Sequence, residues 1–179
     1  GSGQQYSIAG ATGGTLNFAA GGIINAADLS STGSNFITFA STLLVTGNGL
    51  TIQKSGGTAQ QFMRFDMASN PGLTGTLTIE GNNGGVFFRS AAPATFGNVS
   101  EVVVKTNSTF SVVSAAPGTY MMPISIAGTG GSGNYGAIRV DSNNITLAGA
   151  ITMTADAAIQ TNTGGITGTV ISGGISGGF

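Results

Sequence analysis

Leu50-Thr51-Ile52-Gln53 alternates aliphatic and polar side chains, and the alternation returns at Leu77-Thr78-Ile79-Glu80, Val102-Val103-Val104-Lys105, Ile124-Ser125-Ile126-Ala127 and Ile145-Thr146-Leu147-Ala148. The starts of these segments are spaced by 27, 25, 22 and 21 along the chain, and the same step of 21 leads from Ile145 to Ile166 in Ile166-Thr167-Gly168-Thr169-Val170. Upstream, Leu16 in Thr15-Leu16-Asn17-Phe18 and Ile37 in Phe36-Ile37-Thr38-Phe39 are also 21 apart. Successive side chains of a strand point to opposite faces. The aliphatic residues of each segment therefore share one interior, and the Thr and Ser residues between them face out.

Between these segments the chain is broken by Gly13-Gly14, Gly21-Gly22, Gly56-Gly57, Gly84-Gly85, Gly130-Gly131, Gly164-Gly165, Gly173-Gly174 and Gly177-Gly178. No stretch between them keeps apolar residues at helical spacing over three turns, so the expectation is all-β, with short strands and tight turns. A repeat of 20–30 residues holding two or three short strands is the length of one β-solenoid coil, stacked on the next at about 4.8 Å. The sequence thus predicts one domain over residues 1–179, a parallel β-helix of about seven coils of 20–27 residues. Residues 1–74 form its less regular coils and residues 75–179 its repeat-like ones. The expected interior ladders are Leu50, Leu77, Val102, Ile124, Ile145 and, beside it, Ile52, Ile79, Val104, Ile126, Leu147. An exterior ladder of Gln53, Glu80 and Lys105 follows, with Glu80 and Lys105 one coil apart and within reach of an ion pair. An antiparallel β-sandwich is the alternative. The convergence of the spacing on 21, where hairpins predict about 8–12, and the uniformly aliphatic ladder weigh against it.

Composition narrows the chemistry. Of 179 residues 32 are Gly and only 6% are charged, with no Cys, His or Trp. A thiolate nucleophile, an imidazole base and a Cys/His zinc site are thereby excluded. The net charge of −1 supplies no basic surface for nucleic acid. No apolar run reaches the length of a membrane-spanning helix. The six acids, Asp28, Asp66, Glu80, Glu101, Asp141 and Asp156, are scattered along the chain, whereas carbohydrate-cleaving chemistry and calcium sites need clustered carboxylates. The expectation is a non-enzymatic protein with no cofactor and no metal. Arg64 with Asp66, and Arg139 with Asp141, stand two apart on one strand face and read as local ion pairs. Gly128-Thr129-Gly130-Gly131-Ser132-Gly133 fits G-x-G-x-x-G literally, but no helix start follows it, so it reads as a turn. Phe62, Phe65, Phe87, Phe88, Phe96 and Tyr120 fall in the widest coils and read as core filling, the other reading being a surface platform for sugars. The sequons at Asn98, Asn107 and Asn144 are as many as chance supplies in so Asn-, Ser- and Thr-rich a chain.

Gly75-Thr76-Leu77-Thr78-Ile79-Glu80-Gly81-Asn82-Asn83, the strand at 99–105 with Asn107-Ser108-Thr109-Phe110, and the later runs Gly136-Ala137-Ile138, residues 145–152, 155–159 and 166–174 resemble the autotransporter-associated β-strand repeats, or passenger-associated transport repeats, of bacterial surface proteins. Where that family continues after the double Asn with an aromatic and a Thr-Gly-Gly turn, this chain has Gly84-Gly85-Val86-Phe87-Phe88. Residues 1–74 resemble it in composition alone. The resemblance implies a secreted, surface-displayed, right-handed β-helix whose repeat has no enzyme activity of its own.

The tail, residues 171–179, reads as an unfinished coil, and Ile171, Ile175 and Phe179 are the candidate assembly end. Coils stacking end to end between copies would build an extracellular fibre, with the protein itself as partner and little charge repulsion opposing approach. The alternatives are a stalk or display segment partnered by neighbouring repeats of a longer chain, and a glycan-binding β-helix partnered by surface glycans.

Overall fold

The computed structural model describes residues 5–26, 35–56, 60–67, 69–81, 85–90, 92–114, 117–131, 135–162 and 165–178. Every strand pairing among them is parallel. The fold is a parallel β-solenoid, and the antiparallel sandwich is excluded.

The first wall stacks seven strands in chain order: Gln5–Ile8, Asn35–Phe39, Gln61–Phe65, Val86–Ser90, Ser108–Val112, Ile138–Val140 and Ile159–Thr161. The second stacks Gly14–Asn17, Leu43–Lys54, Leu73–Gly81, Val99–Val104, Ile124–Gly128, Ile151–Ala157 and Ile175–Ser176, with Gly22–Ala26 also paired to the long second strand. A short third wall holds Gly118–Tyr120, Ile145–Leu147 and Val170–Ile171. Pro93–Phe96 forms a single 3-10 turn.

The alternation in the sequence becomes alternation of burial. In Gln61–Phe65 the first, third and fifth residues are buried and the others half-buried. On the second wall Leu50, Leu77, Val102, Ile124, Ile151 and Ile175 stand in register, beside Ile52, Ile79, Val104, Ile126 and Met153. On the first wall Met63, Phe88, Phe110, Ile138 and Ile159 form the matching inner ladder. Between the walls runs a file of rings. Phe39 meets Phe65 at 5.0 Å, Phe65 meets Phe88 at 5.0 Å edge-on, and Phe96 meets Phe110 at 5.7 Å. Phe110 then meets Tyr120 at 6.2 Å. Edge-to-face ring pairs at these separations add to the stabilisation from area burial alone.

Two expectations are corrected. Ile145 and Leu147 leave the second-wall ladder for the third wall, where Ile145 stands beside Gly118 and Leu147 beside Tyr120. Ile151 and Met153 take their places on Ile124 and Ile126. The Gly-rich segment after Gly128 lengthens this coil, which is why the ladder passes from Ile124 to Ile151 and skips Ile145. Leu16 and Ile37 are likewise not equivalent: Leu16 pairs with Val45 on the second wall and Ile37 with Tyr6 on the first. Each of the two long walls stacks seven strands, and one coil carries the aliphatic alternation on more than one wall, so alternations outnumber coils.

Glycine at the corners permits close stacking. A methyl group on Gly149 would overlap the carbonyl oxygen of Met122, and one on Gly173 would overlap that of Gly149. Two corners are turned by asparagines in the left-handed region, Asn107 at φ 60° and Asn144 at φ 55°. Asparagine tolerates that region better than most residues.

Candidate functional site

The solenoid offers two kinds of surface: the edges of its sheets and the outer faces of its walls. At one edge the strand Gln5–Ile8 exposes Tyr6 and Ile8, and Ile23 stands open nearby. At the other edge lie two of the tail residues singled out from sequence. Ile171 pairs with Leu147 and packs against the core, while Ile175 pairs with Ile151 and is 52% exposed. Val170 is exposed beside them. Phe179 lies outside the described residues. Among the described residues these strands end their sheets, and an edge strand with backbone groups lacking a ladder partner is a template for a further coil.

Gln53, Glu80 and Lys105 do fall together on the second wall's outer side. Gln53 pairs in register with Glu80, and Lys105 Nζ is 3.6 Å from Glu80 Oε2 one coil on. Both charged groups are substantially exposed, which limits the pair to about 1 kcal/mol or less.

The outer face of the first wall is chemically richer than composition suggested. Three of the five cations stand there, in a column that reads Thr38, Arg64, Arg89, Ser111, Arg139, Gln160. Arg64 grips Asp66 through two contacts of 2.9 Å, Nη2 donating to Oδ2 and Nε facing Oδ1. Arg139 Nε lies 2.8 Å from Asp141 Oδ1, and Ser111 donates to the other oxygen of that carboxylate. A parallel column brings Phe62 against Phe87 at 5.1 Å. These two rings belong to the outer face, so the core reading holds for Phe65, Phe88, Phe96 and Tyr120 and fails for Phe62 and Phe87. Phe87 is nevertheless 5% exposed, with Tyr135 and Arg139 packed against its ring. Gly131 N–H donates to Thr109 Oγ1 at 3.2 Å, and Tyr135 meets Phe87 edge-on at 5.6 Å. The Arg139 guanidinium lies 4.6 Å from the Tyr135 ring centroid. Gly131 and Tyr135, on either side of residues 132–134, thus both rest on the outer face of the first wall.

Beside the arginine column, two grooves run along the corner of the solenoid. One, about 400 Å³, is lined by Arg64, Asp66, Arg89, Ser90, Val113, Ser114 and Ser142. The other, about 440 Å³, shares Ser114 and Ser142 and continues past Asn143 and Asn144 to Ile166. Two residues lining the first groove, Ser90 and Val113, are tied together by the buried Tyr120, whose hydroxyl donates to Val113 O at 2.7 Å, accepts from Val113 N at 3.1 Å and meets Ser90 Oγ. Burial pushes this phenol up to about 12, outweighing the lowering by Ser90, Val113 and the nearby Arg89.

The signal for this face was present in the spacing. Arg64 and Arg89 stand one coil apart on equivalent positions of Phe-x-Arg segments. Reading each arginine only against its nearest acid hid the column. Among the described residues no three His, Cys, Asp or Glu side chains gather as a metal site, and no helix is long and apolar enough to cross a membrane.

Together these features describe a parallel β-solenoid protein with a polar corner groove, whose sheets end, among the described residues, on strands bearing exposed apolar side chains. No family model, no curated protein and no solved structure matches the chain.

Proposed function

We propose that this chain is a non-enzymatic extracellular structural protein of the bacterial surface, whose coils stack end to end with those of further copies to build a fibre or matrix. The observation that carries the reading is the pair of sheet edges left uncovered among the described residues. The ladder ending in Ile175 and the strand bearing Tyr6 and Ile8 both present apolar side chains beside edge backbone groups. Main-chain hydrogen bonds across such an edge supply affinity, and the apolar ladder supplies register. Right-handed winding, the hand of nearly all parallel crossovers, belongs to the same reading.

A stalk segment of an autotransporter-type passenger is the second reading. It is favoured by the ladders that run without interruption from Leu50 to Ile175, because the same edges would take neighbouring coils of one longer chain. Negative-stain electron microscopy of the purified chain over a range of concentrations separates the two. Long uniform fibres, abolished by Ile175→Asp, support assembly between copies. Discrete short particles at every concentration overturn it in favour of the stalk.

A further inference from the structure

Arg89 is the odd member of the arginine column. Arg64, one coil before it, holds Asp66, and Arg139, two coils after it, holds Asp141. Among the described residues no carboxylate lies within ion-pair distance of Arg89, although Asp66, held by Arg64, lines the same groove. Arg89 is half-buried on the wall of the 400 Å³ groove, directly in register with Arg64. Like charges opposite each other in a ladder are destabilising, and of these two guanidiniums only Arg64 is paired with a carboxylate among the described residues. Three arginines against two aspartates leave the face locally positive on a chain whose net charge is −1. An anion seated in the groove would balance it.

The groove specifies more than charge. It and its continuation run past successive coils and are walled by hydroxyl and amide groups, among them Ser90, Ser114, Ser142 and Asn143, while the two carboxylates in the lining, Asp66 and Asp141, are held by Arg64 and Arg139. Coils about 4.8 Å apart repeat at close to the length of one pyranose unit in an extended glycan. An extended peptide would be drawn to a sheet edge for its main-chain bonds, and the part of the groove that holds Arg89 lies on strands in the middle of the first wall.

We propose that the groove binds an acidic polysaccharide, with the Arg89 guanidinium taking a uronate carboxylate and the Ser and Asn groups taking hydroxyls of neighbouring sugars. The planar fork of arginine suits a carboxylate through two parallel hydrogen bonds, whereas a lysine would offer only a point charge.

The test is isothermal titration calorimetry of the whole chain with hexagalacturonate, with a neutral galacto-oligosaccharide of equal length, and with sodium phosphate. The expected result is binding of the uronate oligomer that weakens with added NaCl and falls about tenfold or more in Arg89→Gln, while the neutral oligomer binds far more weakly. Arg89→Lys, which keeps the charge, is expected to lose most of the same affinity. It carries the test if far-UV circular dichroism shows Arg89→Gln misfolded. Equal binding of the neutral oligomer, or unchanged uronate affinity in both variants, overturns the proposal. Phosphate binding as tightly as hexagalacturonate also overturns it, leaving a simple anion site with no sugar recognition.

Discussion

One ladder holds two isoleucines with opposite fates. Ile151 and Ile175 occupy the same column of the second wall, yet Ile151 is fully buried and Ile175 is 52% exposed. Around Ile151 and the columns before it, each coil is covered on both sides, and rings and aliphatics close the interior. Around Ile175 the strands shrink to two residues, Val170–Ile171 and Ile175–Ser176, and no further coil covers them among the described residues. Burial in a solenoid belongs to the neighbouring coil as much as to the residue, so stability rises toward the middle and the edges are where association acts.

The largest effect that sharpens this contrast is expected in the ring file. Phe88 is completely buried between Phe65, Phe96 and Phe110, and Phe88→Ala should cost about 3–5 kcal/mol in guanidinium unfolding. A loss below about 1 kcal/mol would show that the middle coils are not the tightly packed region.

Tyr120 gives a pH-dependent version of the same test. The folded protein holds the phenolic proton up to about pH 12, whereas the unfolded chain releases it near pH 10. Its contribution is therefore fully present below pH 10 and is lost as pH rises through 12, for a total of about 3 kcal/mol. Denaturation midpoints followed from about pH 9 to 12 should fall more steeply for the wild type than for Tyr120→Phe. Parallel slopes would place this hydroxyl in water.

Next in size is the ladder pair itself. Ile151→Val is expected to cost about 1 kcal/mol and Ile175→Val close to nothing in the unassembled chain. Equal costs would mean that Ile175 is covered in solution, which measurement across protein concentrations would trace to association.

The smallest effect belongs to the exposed ion pair. Glu80→Gln should lower stability by about 0.5 kcal/mol or less, and about 1 M NaCl should erase the difference. A larger, salt-resistant loss would remove the pair from the solvated face.

How much of this was legible varies along the chain. Leu50, Leu77, Val102 and Ile124 could be aligned by eye, because every second side chain meets the core and corner glycines delimit the coils. Ile145 could not be assigned to its wall, because Ile145-Thr146-Leu147 and Ile151-Thr152-Met153 carry the same alternation. Which one continues the ladder depends on where the segment after Gly128 goes. The tail isoleucines were legible as strand residues, yet only the fold separates Ile171, packed on the core, from Ile175, left open.

Alternation, glycine spacing and composition are local properties of the chain, and they were enough to establish an all-β solenoid with aliphatic ladders and a chemistry without thiol or imidazole. The wall each strand joins, the outward position of Phe62 and Phe87, and the arginine column with Arg89 left unmatched emerged only from the folded chain. Coil length varies between neighbours, so residues far apart in sequence become adjacent only once each excursion has been folded back against the wall.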